Sequence, residues 1–151
     1  MNPKEDIRKI FLKAIERVDP YKMITQNMSL QGDTLLIRFN GKTLEEDLKN
    51  YRRIVVLGIG KASSKMGRAL EDILEKRIST GTVVTKYGHG EKLRIITVVE
   101  AAHPIPDENS VMGAGELFKL AYEANEQTLI INLVSGGGSA LFSLPAEGIS
   151  L

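Results

Sequence analysis

Three consecutive glycines stand directly behind the most apolar run of this sequence. Residues 128–134 (TLIINLV) lead into Ser135, Gly136, Gly137, Gly138 and Ser139. The run reads as a buried strand, and glycines without Cβ leave backbone N–H groups free to converge on one point. Such a point suits an anion, and the hydroxyls of Ser135 and Ser139 fit phosphate contact better than nucleophilic attack. The same glycines would equally serve a plain tight turn.

A second glycine turn, Gly58-Ile59-Gly60, follows another β-rich run and delivers Lys61 to the start of a helical pattern. It is not a dinucleotide fingerprint. Ser63 occupies the place of the third small residue, and Thr85 and Lys86 stand where an acidic side chain would hold a ribose. A lysine at a helix amino terminus adds a cation to a positive pole, an arrangement that favours an anion between them. Two polar loops complete the candidates. Residues 86–90 place Lys86 and His89 among glycines, which also describes a simple flexible connection. Residues 100–108 hold His103 between alanine and proline and carry Asp107 near their end, a helix cap with a ligand contact left open.

These loops need a frame, and the pattern supplies one. Apolar residues at helical spacing run from Pro3 to Val18 and predict a helix docked on the core, ended by Asp19-Pro20. A strand is expected over 33–39, a turn at Asn40-Gly41, and a short helix over 43–50 with Leu44 and Leu48 facing inward. Strands over 54–57, 82–85, 93–99 and 128–134 alternate with helices over 62–78 and from Asp107 to about Ala124. The order β-α-β-β-α-β predicts an α/β fold: a Rossmann-like, mostly parallel sheet with helices on both faces. An apolar segment over 140–144 is interrupted by Pro145 close to the last residue, so the sheet is expected to be truncated at the C-terminus.

At 42% hydrophobic and 26% charged residues, the 151-residue chain has the composition of a globular domain. A net charge of +1 and 5% aromatic residues give no basic field and few stacking platforms, arguing against nucleic acid. No apolar run spans a membrane, and the acidic and basic residues of the first turn do not make a signal peptide. With no cysteine and two histidines, a disulfide scaffold is excluded and zinc disfavoured; a cytoplasmic protein is expected.

Taken in order, residues 58–63 (GIGKAS), 85–90 (TKYGHG), 102–108 (AHPIPDE), 135–141 (SGGGSAL) and 144–151 (LPAEGISL) resemble the glycerate 2-kinases that carry a C-terminal MOFRL domain. The resemblance covers roughly residues 54–151. It implies transfer of the γ-phosphoryl group of ATP to the 2-hydroxyl of D-glycerate with Mg2+. It also implies a catalytic or phosphate-clamping role for Lys61, and nucleotide contact by Ser135, Gly136, Gly137, Gly138 and Ser139, with Gly58 and Gly60 beside them. Lys86, His89, His103 and Asp107 are the substrate-side candidates, and no metal ligand is named. By the same resemblance, residues 1–151 correspond to the N-terminal part of the Rossmann-like kinase domain, with the MOFRL half of the cleft absent. The chain alone is then expected to be inactive and to self-associate. Two other functions remain open: an NAD(P)H-dependent hydroxypyruvate reductase, in which Lys86 would meet a 2′-phosphate, and a non-catalytic anion-binding module.

Overall fold

The computed structural model describes residues 2–151. Asn2 accepts a hydrogen bond from the Lys4 N–H (3.3 Å) and opens α1 (Pro3–Arg17). Asp19 does the same for the Lys22 N–H (3.0 Å) at the start of α2 (Pro20–Asn27). An antiparallel meander follows, made of β1 (Met28–Gln31), β2 (Thr34–Phe39) and β3 (Lys42–Asp47). Beyond a 3-10 turn at Leu48–Asn50 come β4 (Arg53–Ile59), α3 (Ser63–Leu74), β5 (Thr80–Lys86), β6 (Ile96–Ala101), α4 (Glu108–Tyr122), β7 (Thr128–Val134) and the short α5 (Gly138–Leu141).

The four later strands form one parallel sheet in the order β6-β5-β4-β7, with β4 paired to β5 on one side and β7 on the other. Successive side chains of a strand face opposite ways, so the sheet has two cores. On one face Val56, Val83, Ile96 and Leu133 meet Met66, Leu70 and Leu74 of α3, and Met28, Leu35 and Leu48 extend that core under the small sheet. On the other, Val84, Val99 and Ala101 meet Leu117 of α4 and Leu141 of α5. Close approach needs small residues: a Cβ on Gly113 of α4 would stand 2.6 Å from Val84 Cγ2. The α/β sheet with helices on both faces is as the sequence predicts.

Four local expectations are corrected. Residues 43–50 do not form a helix. They pair as β3 with β2, Leu44 opposite Ile37, and Leu44 is 58% exposed rather than inward; only Leu48 is buried. Cross-strand pairing overrides a weak helical spacing here. The third strand of the parallel sheet starts at Ile96, not 93, because the N–H groups of Arg94, Ile95 and Ile96 donate to the Glu71 carboxylate at 2.7–3.0 Å instead of to a strand. The helix after Lys61 ends at Leu74, since Glu75 turns to φ +48°. Finally, α1 buries none of its residues, and Ile7, Ile10, Phe11, Ile15 and Val18 stay exposed. The docked helix is instead α2, unforeseen in the sequence: Tyr21 donates to Asp72 (3.0 Å) and stacks under Arg68 of α3.

Candidate active site

The carboxyl ends of β4 and β7 lie side by side, and their two glycine loops are stitched together by two backbone hydrogen bonds and one to a serine hydroxyl. The Ser135 N–H donates to Ile59 O (2.9 Å), the Lys61 N–H to Gly136 O (3.1 Å), and the Ala62 N–H to Ser135 Oγ (3.0 Å). Gly60 sits at φ +110°, and a Cβ there would run into the side chain and carbonyl of Ser135. Only glycine satisfies both demands. Gly58 answers a packing demand instead, as a Cβ would fall 2.5 Å from Val83 Cγ1.

Ser63, the residue that spoils the dinucleotide fingerprint, is fully buried and useful. Its hydroxyl is placed to donate to Gly60 O (2.8 Å) and Val84 O (3.0 Å), tying the turn to β5. Thr85 Oγ1 reaches Lys61 O (3.3 Å) from the same strand end. The backbone of Lys61 is therefore fixed on two sides while its side chain projects into solvent. Lys61 takes part in no ion pair among the described residues.

Gly137 brings the candidates together. At φ +90°, a Cβ on it would stand 2.9 Å from the His103 ring and 3.3 Å from Lys61 Cε. The triple-glycine loop, the lysine and the histidine thus meet at one place, though they are far apart in sequence. Among the described residues, the N–H groups of Gly136, Gly137 and Gly138 have no protein acceptor. Free donors beside an ammonium make a cradle for phosphate oxygens.

On its other side Lys61 lines a cleft of about 510 Å3 with Pro20, Ala62, Lys65, Gly88, His89, Gly90 and Glu91. His89 therefore shares Lys61 with the glycine loop but enters from the 86–90 loop. Lys86 stands at the end of β5, half-buried and outside this cleft wall. Asp107 caps α4: its carboxylate accepts from the Ser110 N–H (3.0 Å), the Ala102 N–H (3.3 Å) and the Tyr87 hydroxyl (2.8 Å). Burial alone would raise its pKa, but these donors outweigh that cost and hold it below the usual value. Ser139 lies exposed in the first turn of α5.

Sequence reasoning missed three participants. Lys65 lies one turn beyond Lys61 on α3 and adds charge to the cleft, although Asp19 partly engages it at 3.7 Å. Tyr87 and Asn109 join the loops that carry His89 and His103. Tyr87 stands inside the 85–90 motif but Asn109 lies outside every motif, so only the fold could pair them. The residues present do not build a metal site: among the described residues no group of three His, Asp or Glu could hold an ion, and Asp107 is occupied by its own chain. No residue is assigned to Mg2+.

A family profile for a domain of unknown function, DUF4147, matches residues 6–151. The glycerate 2-kinase of Pyrococcus horikoshii is 45% identical over 150 residues, covering 97% of this chain and 32% of that protein. The D-glycerate 2-kinase of Thermotoga maritima is 40% identical over 116 residues, or 75% of this chain and 28% of that protein. This chain belongs to the glycerate 2-kinase family. Structure agrees with sequence: the PH0495 protein from Pyrococcus horikoshii superposes with a TM-score of 0.83 at 41% identity, over 99% of this chain and 33% of that one. The Thermotoga maritima glycerate kinase gives a TM-score of 0.72 at 35% identity, over 94% and 30%. The chain thus spans about a third of the length of the family members it matches. Putative hydroxypyruvate reductase is the name carried by an Agrobacterium vitis relative, 41% identical over 99 residues, 66% of this chain and 26% of that protein.

Proposed function

We propose that these residues form the Lys61 side of an ATP-dependent D-glycerate 2-kinase site. The observation that carries the reading is the meeting of Gly137, Lys61 and His103 at the carboxyl ends of parallel strands, where α/β sheets bind ligands. The relatives named glycerate 2-kinase support both the reaction and the substrate of this reading.

In the reaction the 2-hydroxyl oxygen of D-glycerate bonds to the γ-phosphorus of ATP, the bond to the β,γ-bridging oxygen breaks, and ADP leaves. Phosphoryl transfer asks for positioning and charge stabilisation more than covalent help. The free N–H groups of residues 136–138 hold phosphate oxygens, and the Lys61 ammonium neutralises charge on the group in transit. His103 packs against the glycine loop and walls it, while Lys65 and His89 make the cleft on the far side of Lys61 hospitable to the glycerate carboxylate. Mg2+ carried by the nucleotide would add charge neutralisation, and no residue of this chain is assigned to hold it. The base that receives the hydroxyl proton is not assigned, since Asp107 is engaged as a helix cap.

In this reading residues 1–151 form the nucleotide-facing part of a kinase domain, a C-terminal MOFRL domain closes the cleft, and the enzyme works in the cytoplasm. The 151-residue chain alone is then inactive, because losing about 4 kcal/mol of transition-state stabilisation costs roughly a thousandfold in rate. The exposed apolar side of α1 favours self-association. In the reductase reading Thr85 and Lys86, which offer no acid to a ribose, stand against NAD, and Lys86 facing a 2′-phosphate makes NADPH the cofactor to test.

The test compares ADP release with ATP, Mg2+ and D-glycerate against NADPH oxidation with hydroxypyruvate. It is run on the chain and on a chimera in which the chain replaces its matching segment in the Pyrococcus horikoshii protein. Glycerate-dependent ADP release by the chimera alone supports the proposal. Hydroxypyruvate-dependent NADPH oxidation supports the reductase, and phosphate binding without turnover in either form supports an anion-binding module.

A further inference from the structure

Two loops approach Lys61 from different strands, and one polar clamp joins them. The Tyr87 hydroxyl donates to Asp107 Oδ2 (2.8 Å) and accepts from Asn109 Nδ2 (2.9 Å). Asn109 Nδ2 also donates to Glu100 O (3.0 Å). Two further bonds repeat the link: the Tyr87 N–H donates to Ala101 O (3.1 Å), and the Gly90 N–H donates to the side-chain Oε1 of Glu100 (2.8 Å). The Tyr87 side is the loop of His89; the Asp107 side is the turn of His103.

Tyr87 is 48% exposed, so its ring is not enclosed by packing. Its phenol oxygen is fixed by hydrogen bonds to groups that are themselves anchored. Asp107 is locked by the Ser110 and Ala102 N–H groups, and Asn109 by the end of β6. An exposed tyrosine spending its hydroxyl on two partners 20 and 22 residues away sets the separation of two chain segments. Those segments carry one wall of the Lys61 cleft and one wall of the glycine cradle.

We propose that Tyr87, held by Asp107 and Asn109, is a positioning residue for phosphoryl transfer: its hydroxyl fixes the His89 loop against the His103 turn, and so fixes the two walls between which Lys61 works. The inference rests on the kinase reading and deepens it. Tyr87 touches no reacting group. Its removal loosens the geometry of the transition state more than the hold on either substrate.

Tyr87→Phe removes only the hydroxyl. It is compared with wild type and with Tyr122→Phe, a control at an exposed tyrosine of α4, in whichever form transfers phosphate to D-glycerate: the chain itself or a longer polypeptide carrying it. Expected is a fall in kcat of about tenfold, KM for ATP and glycerate changing less than about twofold, and an unaltered melting temperature for Tyr122→Phe. Asn109→Asp keeps an acceptor but no amide donor and should give a smaller loss of the same kind. Wild-type kcat in Tyr87→Phe, or an equal loss in Tyr122→Phe, overturns the proposal.

The chain's two histidines give a readout independent of turnover. Their ring NMR signals in the 151-residue chain should shift, and amide exchange at residues 88–90 should accelerate, in Tyr87→Phe but not in Tyr122→Phe. If no form phosphorylates glycerate, the kinase reading fails by itself. Unmoved histidine signals then overturn the clamp as well, and shifted ones sustain it as the device that spaces the loops.

Discussion

α1 and α3 carry the same kind of pattern, apolar residues at helical spacing with charges between, and meet opposite fates. α3 lies on the parallel sheet and buries Met66, Ala69, Leu70 and Leu74. α1 buries nothing. Amphipathic spacing states that a face favours cover; it does not state that the same stretch of chain provides it. What separates the two helices is their connection. α3 is tied at its start by Ser63 and Ser135 into the strand ends, and along its length by Glu71 to residues 94–96. α1 is joined by its own caps and a turn to α2, and α2 makes the contacts with α3.

The contrast breaks most sharply at Lys61, which stands just before the N-cap of α3 and is exposed. Lys61→Ala should lower kcat of the active form by about 100- to 1000-fold, with little change in melting temperature, since its charge serves the transition state. Lys61→Arg should recover only part, because a planar guanidinium does not replace a compact ammonium. Steady-state kinetics beside thermal melts check both; wild-type turnover in the alanine variant would remove Lys61 from the mechanism.

Leu70→Ala comes next. Its side chain is 0% exposed in the α3 core, and truncation should cost about 3 kcal/mol in urea unfolding. Glu71 follows. Burial would raise the pKa of this carboxyl, but the N–H groups of Ile96, Arg94 and Ile95 and the Arg94 guanidinium more than compensate and lower it. A lowered folded pKa means the stabilisation is complete above the ordinary carboxylate value and fades as pH falls from about 5 through the folded value. Glu71→Gln should cost about 1–3 kcal/mol at neutral pH and flatten that acid limb, which pH-dependent urea melts would show. A variant with an unchanged acid limb would mean that other carboxylates set it. The smallest effect is expected in α1: Ile10→Ala, at a side chain 69% exposed, should shift stability by less than about 0.5 kcal/mol. A cost near that of Leu70→Ala would show α1 covered in solution, and a concentration-dependent melt would identify the cover as a second copy.

The parallel sheet was legible because its strands read as continuous apolar runs, as in residues 54–57 and 128–134, although only the central β4 and β5 are buried along most of their length and the edge strand β7 buries Leu133 alone. The glycine loops were legible for a related reason: at Gly60 and Gly137 a positive φ and a close neighbour leave one residue type. Legibility failed where pairing is non-local. β3 has no apolar alternation and exists because β2 runs beside it. The early start expected for β6 was wrong because Glu71, 23 to 25 residues earlier, takes its first N–H groups. Of the candidate site, sequence supplied Lys61, His103 and Gly137 without showing that they touch, and it offered no hint of Tyr87 with Asn109. A hydrogen bond from the first turn of α4 to a loop tyrosine leaves no periodicity to read.

The bond from the Ala62 N–H to Ser135 Oγ joins residues 73 positions apart, alongside the pairing of β4 with β7. The proposed anion cradle is therefore not a local loop that can form early. Closing so long a segment is entropically slow and is rewarded only when the central strands dock. On a ribosome the cradle cannot exist until the glycine run has emerged and β7 has found β4. Phosphate binding should thus track global folding: a ligand at a hundred times its dissociation constant would add about 2.7 kcal/mol to the whole unfolding transition.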